Sequence, residues 1–128
     1  MQSKYILAMA AIILITGTVL IKNNNPATTE TTGENVSIVA NQQIIALEAK
    51  GGFFPTMSVA NAGVPSILRV STNGTYDCSS ALSIPSLSYR ANLPPTGTTD
   101  IEIPAQTAGT TINGTCSMGM YSFSISFE

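Results

Sequence analysis

The sequence has no histidine and no tryptophan, and only 9% of its 128 residues are charged. Without histidine, the chain lacks the commonest general base and the commonest transition-metal ligand of proteins. The net charge of −2 and the lack of a basic run argue against binding to nucleic acid. The carboxylates form no spaced pair, and no serine has a histidine partner. These absences favour a binding or structural protein over an enzyme.

The longest apolar stretch lies near the N-terminus. Residues 5–21 (YILAMAAIILITGTVLI) are uncharged and lie between Lys4 and Lys22. This length is at the lower limit for a helix that spans a bilayer, and a cleaved secretory signal is the alternative. Since no A-x-A-like cleavage site follows, we predict that residues 1–22 form an uncleaved transmembrane helix with a cytoplasmic N-terminus. Both alternatives export the rest of the chain.

The remaining sequence divides into a linker and one β-rich domain. Residues 23–35 (NNNPATTETTGEN) are polar and lack apolar periodicity, which predicts a flexible linker. Residues 36–128 alternate short β-prone runs with turn signals such as Asn73–Gly74 and Asn113–Gly114. The predicted strands are residues 36–40, 43–49, 57–60, 66–72, 81–84, 99–103 and 121–128. We therefore predict an all-β sandwich whose core includes Leu68, Val70, Ile101, Ile103, Phe123 and Ile125.

The sulfur residues of this domain lie in two segments. Cys116, Met118 and Met120 occupy alternate positions just before the last predicted strand, and Cys78 follows the Asn73–Gly74 turn. If both segments fall at one end of the sandwich, two thiols and one or two thioethers converge. These are soft ligands that select Cu(I), whereas zinc prefers cysteine and histidine. We therefore predict a Cu(I) site formed by Cys78, Cys116, Met118 and Met120, which Ag(I) could also occupy.

The same residues support an alternative. Two cysteines in an exported domain commonly form a disulfide, and the proximity that builds a copper site also allows that bond. Met118 and Met120 would then be ordinary loop or core residues. Met57 could be a further ligand, but we predict a strand residue that fills a gap in the sandwich. Asp77, beside Cys78, is predicted to be a solvated turn carboxylate.

Several short motifs in residues 43–128 resemble, in their order and spacing, the small cupredoxin-like domains of exported bacterial and archaeal proteins. The matching segments are residues 50–53 (KGGF) with Pro55, 62–65 (AGVP), 75–78 (TYDC), 84–87 (IPSL), 93–97 (LPPTG) and 116–121 (CSMGMY). The resemblance implies a Greek-key sandwich with its metal loops at one end. It implies that Cys78 occupies the mid-chain ligand position and that Cys116 begins the last loop. The usual histidines are missing, which favours holding or transfer of Cu(I) over blue-copper chemistry.

Three functional hypotheses follow. The first is a membrane-anchored Cu(I)-binding module on the extracytoplasmic side, periplasmic or at the cell surface, that exchanges copper with a transporter or a copper-accepting protein. The second is a metal-free structural or interaction domain with a Cys78–Cys116 disulfide. The third is a copper electron-transfer protein, which the ligand set disfavours because the His₂Cys arrangement is missing.

Overall fold

The computed structural model describes residues 33–128, which form ten strands and two short 3-10 turns. The strands are β1 (Val36–Val39), β2 (Gln42–Ala49), β3 (Phe53–Phe54), β4 (Met57–Ala60), β5 (Ser66–Asn73), β6 (Ala81–Ile84), β7 (Tyr89–Asn92), β8 (Thr96–Ile103), β9 (Thr111–Cys116) and β10 (Ser122–Phe127). The 3-10 turns are Cys78–Ser80, before β6, and Pro85–Leu87, after it. The predicted anchor and most of the predicted linker lie outside the described residues.

The strands form two five-stranded sheets. One has the order β1-β2-β5-β8 with β3 beside β2, and the other has the order β4-β10-β9-β6-β7. Both sheets are mixed, because β2 pairs in parallel with β5 and β4 pairs in parallel with β10. This architecture confirms the all-β prediction, while Greek-key connectivity stays a prediction. None of the helical segments between residues 33 and 128 has the length and apolar character needed to cross a membrane.

The two sheets share one apolar core. Strands β2, β5 and β10 alternate between buried and more exposed residues, so each strand turns one face inward. The ring of Phe53 in β3 meets that of Phe123 in β10 edge to face, with 5.1 Å between ring centroids. All six predicted core residues are buried: Leu68, Val70, Ile101, Ile103, Phe123 and Ile125.

The prediction of a turn at Asn113–Gly114 is wrong, because both residues lie inside β9. Gly114 is opposite Phe123 in the antiparallel pairing of β9 with β10. A Cβ atom on residue 114 would overlap the aromatic ring of Phe123. Glycine is therefore needed here so that an aromatic ring can pack against the backbone. The sequence alone does not distinguish this role of glycine from its role in a turn.

The start of the domain holds the two sheets together at one side. The side-chain amide of Asn35 donates to the carbonyl of Ala46 in β2 at 2.9 Å and to the hydroxyl of Ser58 in β4 at 2.8 Å. The backbone N–H of Gly33 donates to the carbonyl of Val59 at 3.0 Å. The last residues of the predicted linker are thus bound to the domain.

Candidate metal centre

The sulfur residues lie at one end of the sandwich. Strands β5 and β9 end there, and β6 and β10 begin there, so the segments 74–80 and 117–121 are neighbours. A hydrogen bond of 2.9 Å from the N–H of Ser117 to the carbonyl of Ala81 links the second segment to the first residue of β6, directly after the first segment. We call this region, formed by segments 74–80 and 116–121, the sulfur end.

Cys78 and Cys116 are joined by a disulfide at the sulfur end, with 5.7 Å between their Cα atoms. Cys116 is the last residue of β9, pairs with Leu82 in β6, and is 1% exposed. Cys78 begins the 3-10 turn before β6 and is partly buried against the core. The structure therefore brings the two predicted thiols together and bonds them, as the second hypothesis expects. Binding of a metal by both sulfurs requires reduction of this bond.

Asp77 positions the turn that carries Cys78. Its carboxylate accepts hydrogen bonds from the backbone N–H groups of Ser79 and Gly51, each at 2.8 Å, and from the hydroxyl of Ser79. The hydrogen bond from the Ser79 hydroxyl, followed by those from the two N–H groups, lowers the pKa of Asp77 below its ordinary value. The carboxylate is exposed, as predicted, but it also caps the 3-10 turn and ties it to the β2–β3 loop. Its position two residues before Ser79 is a recognisable Asx-capping signal.

Thr75 fixes the same segment from the interior. Its buried hydroxyl donates to the carbonyl of Ala49 at 2.5 Å, and its N–H donates to the carbonyl of Pro95 at 2.9 Å. These bonds connect the β5–β6 segment with the ends of β2 and the β7–β8 connection. The sequence analysis did not assign Thr75 a role, since a single threonine in a Thr-rich chain carries no distinctive signal.

Met118 and Met120 lie on the tip of the hairpin formed by β9 and β10. The N–H of Cys116 donates to the carbonyl of Tyr121 at 3.0 Å, and the N–H of Gly119 donates to the carbonyl of Cys116 at 2.9 Å. Gly119 has a φ of 70°, which a glycine adopts readily. The turn leaves Met118 76% exposed and Met120 64% exposed. Neither methionine is a core residue.

Met57 is exposed, so the prediction that it fills a gap in the sandwich is wrong. It begins the edge strand β4, faces away from the core and is 73% exposed. Seven large apolar side chains of the described residues are exposed, and five lie on segments at or beside the sulfur end. Those five are Phe54, Met57, Tyr76, Met118 and Met120.

The available donors restrict which metal could bind. Among residues 33–128, no three His, Cys, Asp or Glu side chains are placed to hold a metal ion. The donors that the sulfur end offers to a metal are therefore the two cysteine sulfurs and the methionine sulfurs beside them. Thiolates and thioethers suit Cu(I) and are poor ligands for harder ions. The donor set fits Cu(I) once the disulfide is reduced.

Comparison with known proteins supports the fold. No protein family model matches the chain, and no curated protein matches it. A solved structure of the metal-binding domain of the Cu(I)-exporting P-type ATPase CopA from Streptococcus pneumoniae D39, with Cu(I), is similar with a TM-score of 0.64 and 17% identity. The matched region covers 73% of this chain and 92% of that domain.

A second similar structure is the solution structure of a copper-binding protein in its apo form. Its TM-score is 0.67 at 24% identity, over 75% of this chain and 97% of that protein. Both likenesses show that the chain shares the fold of domains that are described as binding copper. The identities are too low to carry the function of those domains across by themselves.

Proposed function

We propose that the reduced form of this chain is a cupredoxin-like Cu(I)-binding module, anchored by residues 1–22 with its domain on the extracytoplasmic side. Cys78 and Cys116 supply thiolates, and Met118 and Met120 supply thioethers. The observation that carries the proposal is the meeting of both cysteines at the end where both hairpin methionines are exposed. The likeness to two copper-binding domains supports it.

The disulfide gives the site two chemical states. Opening it takes two electrons and two protons, which two molecules of a thiol reductant supply as they join in a disulfide of their own. Binding of Cu(I) then releases the protons of the thiols that become ligands. Because both methionines are exposed, an acceptor can approach the bound ion and replace the ligands one at a time. Such exchange suits delivery of Cu(I) to a transporter or a copper-accepting protein.

A competition titration of the full chain tests this proposal. The reduced protein should take one equivalent of Cu(I) from a coloured Cu(I) chelator, and the absorbance of the chelator complex should fall. A protein with both Cys78→Ser and Cys116→Ser should bind Cu(I) at least about 10³-fold more weakly, which corresponds to about 4 kcal/mol. An unchanged affinity in this double variant would contradict the proposed ligands.

The disulfide itself favours a second candidate, a metal-free structural or interaction domain. On this alternative the two cysteines serve only to join the Cys78 turn to the end of β9. Protein purified from the exported compartment would have an intact mass about two daltons below the reduced value. It would also bind no Cu(I) after reduction, which separates this candidate from the first.

A further inference from the structure

A cavity of about 420 Å³ opens on the outer face of the β4-β10-β9-β6-β7 sheet, where β6 lies between β7 and β9. Leu82 and Ile84 of β6 belong to the core, so Ala81 and Ser83 point to the opposite face. Both of these small side chains line the cavity, and Pro85 borders it. The volume is within the range of sites that bind small molecules.

The strand pairing aligns three polar side chains in this cavity. Ser83 in β6 is opposite Thr115 in β9 and also opposite Arg90 in β7. Residues that are opposite each other in neighbouring strands point to the same face, and such strands lie about 4.8 Å apart. Two hydroxyl groups and one guanidinium group therefore form a row, and all three side chains line the cavity. Asn92 and Ser117 line it as well.

The fold makes no use of the polar groups in this row. Among residues 33–128, the side chains of Ser83, Arg90 and Thr115 make no hydrogen bond, and the single ion pair joins Arg69 to Asp100. Ser83 is nevertheless only 8% exposed. A buried hydroxyl group without a partner contributes no stability that an alanine would not supply. A ligand in the cavity would give this hydroxyl group its partner.

We propose that the cavity binds a small organic acid through its carboxylate. A guanidinium group such as that of Arg90 can donate two parallel hydrogen bonds to a carboxylate, and the hydroxyl groups of Ser83 and Thr115 can donate to the same oxygens. Because none of the described Asp and Glu residues lines the cavity, no like charge there opposes an anion. The inference does not depend on copper binding, since none of these donors is a sulfur atom.

The charge and the walls of the cavity restrict the acid further. Arg90 is the only Lys or Arg among the residues that line the cavity. One positive charge matches a carboxylate better than a phosphate monoester, which carries up to two negative charges at pH 7. The methyl group of Ala81 and the ring of Pro85 give the rest of the ligand an apolar surface. We therefore expect a monocarboxylate with a short, uncharged body.

The test titrates the ¹⁵N-labelled full chain, in detergent micelles and at constant ionic strength, with butanoate as the probe. The backbone amide resonances of Ser83, Arg90 and Thr115 should shift together and saturate, with a Kd of about 1–10 mM. Butanamide has the same size without the charge and should cause no saturating shift. Equal shifts with butanamide, shifts spread over the whole domain, or equally tight binding of inorganic phosphate would overturn the proposal.

Two substitutions separate binding from stability. Arg90→Gln should weaken butanoate binding at least about tenfold, because it removes charge-assisted hydrogen bonds. Lys50→Gln removes another exposed positive charge and should leave the affinity unchanged. Ser83→Ala should weaken binding about three- to tenfold without lowering the midpoint of denaturant unfolding. An unchanged affinity in Arg90→Gln would overturn the proposal, as would a Ser83→Ala variant that loses stability but keeps its affinity.

Discussion

The cysteine half and the methionine half of the sulfur end are held in different ways. Cys116 is buried at the end of β9, and Cys78 begins a turn that Asp77 and Thr75 bind to neighbouring loops. Met118 and Met120 project from a short hairpin tip and are largely exposed. The cysteines are therefore part of the folded structure, whereas the methionines contribute little to it.

The buried cysteines and the exposed methionines therefore need different explanations. A buried cysteine pair is explained by stability alone, because a disulfide constrains the unfolded chain. Exposed methionines at a hairpin tip gain no burial and fill no cavity, so stability does not explain them. Substitution of the cysteines should therefore change both the free energy of unfolding and the metal affinity, whereas substitution of the methionines should change the metal affinity alone.

The largest expected effect on stability comes from reduction of the disulfide. The bond closes a loop with a sequence separation of 38 residues. In the chain-entropy model, closing a loop of this length stabilises the fold by about 4 kcal/mol. Denaturant unfolding of the oxidised and reduced protein should show a difference of about 2–4 kcal/mol. The Cys78→Ser, Cys116→Ser double variant is the control, since a reductant should not change its unfolding midpoint; equal stability of the two wild-type forms would show that the cysteines are not structural.

Gly114→Ala should destabilise strand β9, which carries Cys116, without changing a sulfur-containing residue. The added methyl group would overlap the ring of Phe123, and Gly114 lies two residues before Cys116 in β9. Overpacking of this kind typically costs about 1–3 kcal/mol, which denaturant unfolding can measure. Asn113→Ala is the matched control, because Asn113 is exposed on the other face of the same strand. If both variants lose the same stability, close packing against Phe123 is not the reason for the glycine.

The sequence predicts the core of this fold better than its edges. The six predicted core residues come from strongly alternating runs, and all of them are buried. Strand β7 (Tyr89–Asn92) was missed because its exposed edge position is compatible with polar residues and gives little apolar pattern. Strand β9 is central in its sheet and was missed for a different reason, because the glycine that admits Phe123 resembles a turn signal.

The candidate site could be predicted in part for the same physical reasons. Turn signals place Cys78 and Cys116 in two inter-strand segments, and the resemblance to cupredoxin-like domains implies that such segments meet at one end. The structure joins the two cysteines. Exposure of Met57 could not be predicted, since a four-residue edge strand has too short a pattern to show which face is buried. The hydrogen bond from the N–H of Gly51 to Asp77 could not be predicted either, because Gly51 in the β2–β3 loop is 26 residues away in sequence. Contacts of that range are not encoded in a local motif.

Combined Met118→Leu and Met120→Leu substitutions should separate affinity from stability. Leucine keeps the size and apolar character of the exposed side chains, so the free energy of unfolding should change by less than about 0.5 kcal/mol. Removal of both thioethers should weaken Cu(I) binding to the reduced chain at least about tenfold in a chelator competition. A Cu(I) affinity equal to that of the wild type would show that the cysteines alone form the site. A large loss of stability would mean that the tip contributes to the fold after all.

The smallest expected effect concerns Asp77 and the acid side of the stability profile. Hydrogen bonds from Ser79 and Gly51 lower the pKa of Asp77 in the folded state, so its stabilising effect is complete above the ordinary aspartate pKa of about 4. This effect is lost as the pH falls through the lower folded-state value. Asp77→Asn keeps an oxygen that can accept a hydrogen bond but cannot titrate, so the melting temperature should fall only slightly at pH 7 and should depend less on pH in acid.

Asp100 provides the matched comparison for that measurement. Arg69 in β5 donates two hydrogen bonds to Asp100 in β8, on the outer face of the β1-β2-β5-β8 sheet. These bonds also lower the pKa of Asp100. Asp100→Asn should therefore flatten the acid profile as well, but it should leave Cu(I) affinity unchanged. Asp77→Asn leaves one accepting oxygen in place of two, so it can keep the cap on Ser79 but loses the hydrogen bond from the Gly51 N–H. Cu(I) binding to the reduced chain should therefore weaken, because the turn that carries Cys78 is held less firmly. Equal Cu(I) affinities for these two variants would show that the turn positions Cys78 without help from the carboxylate.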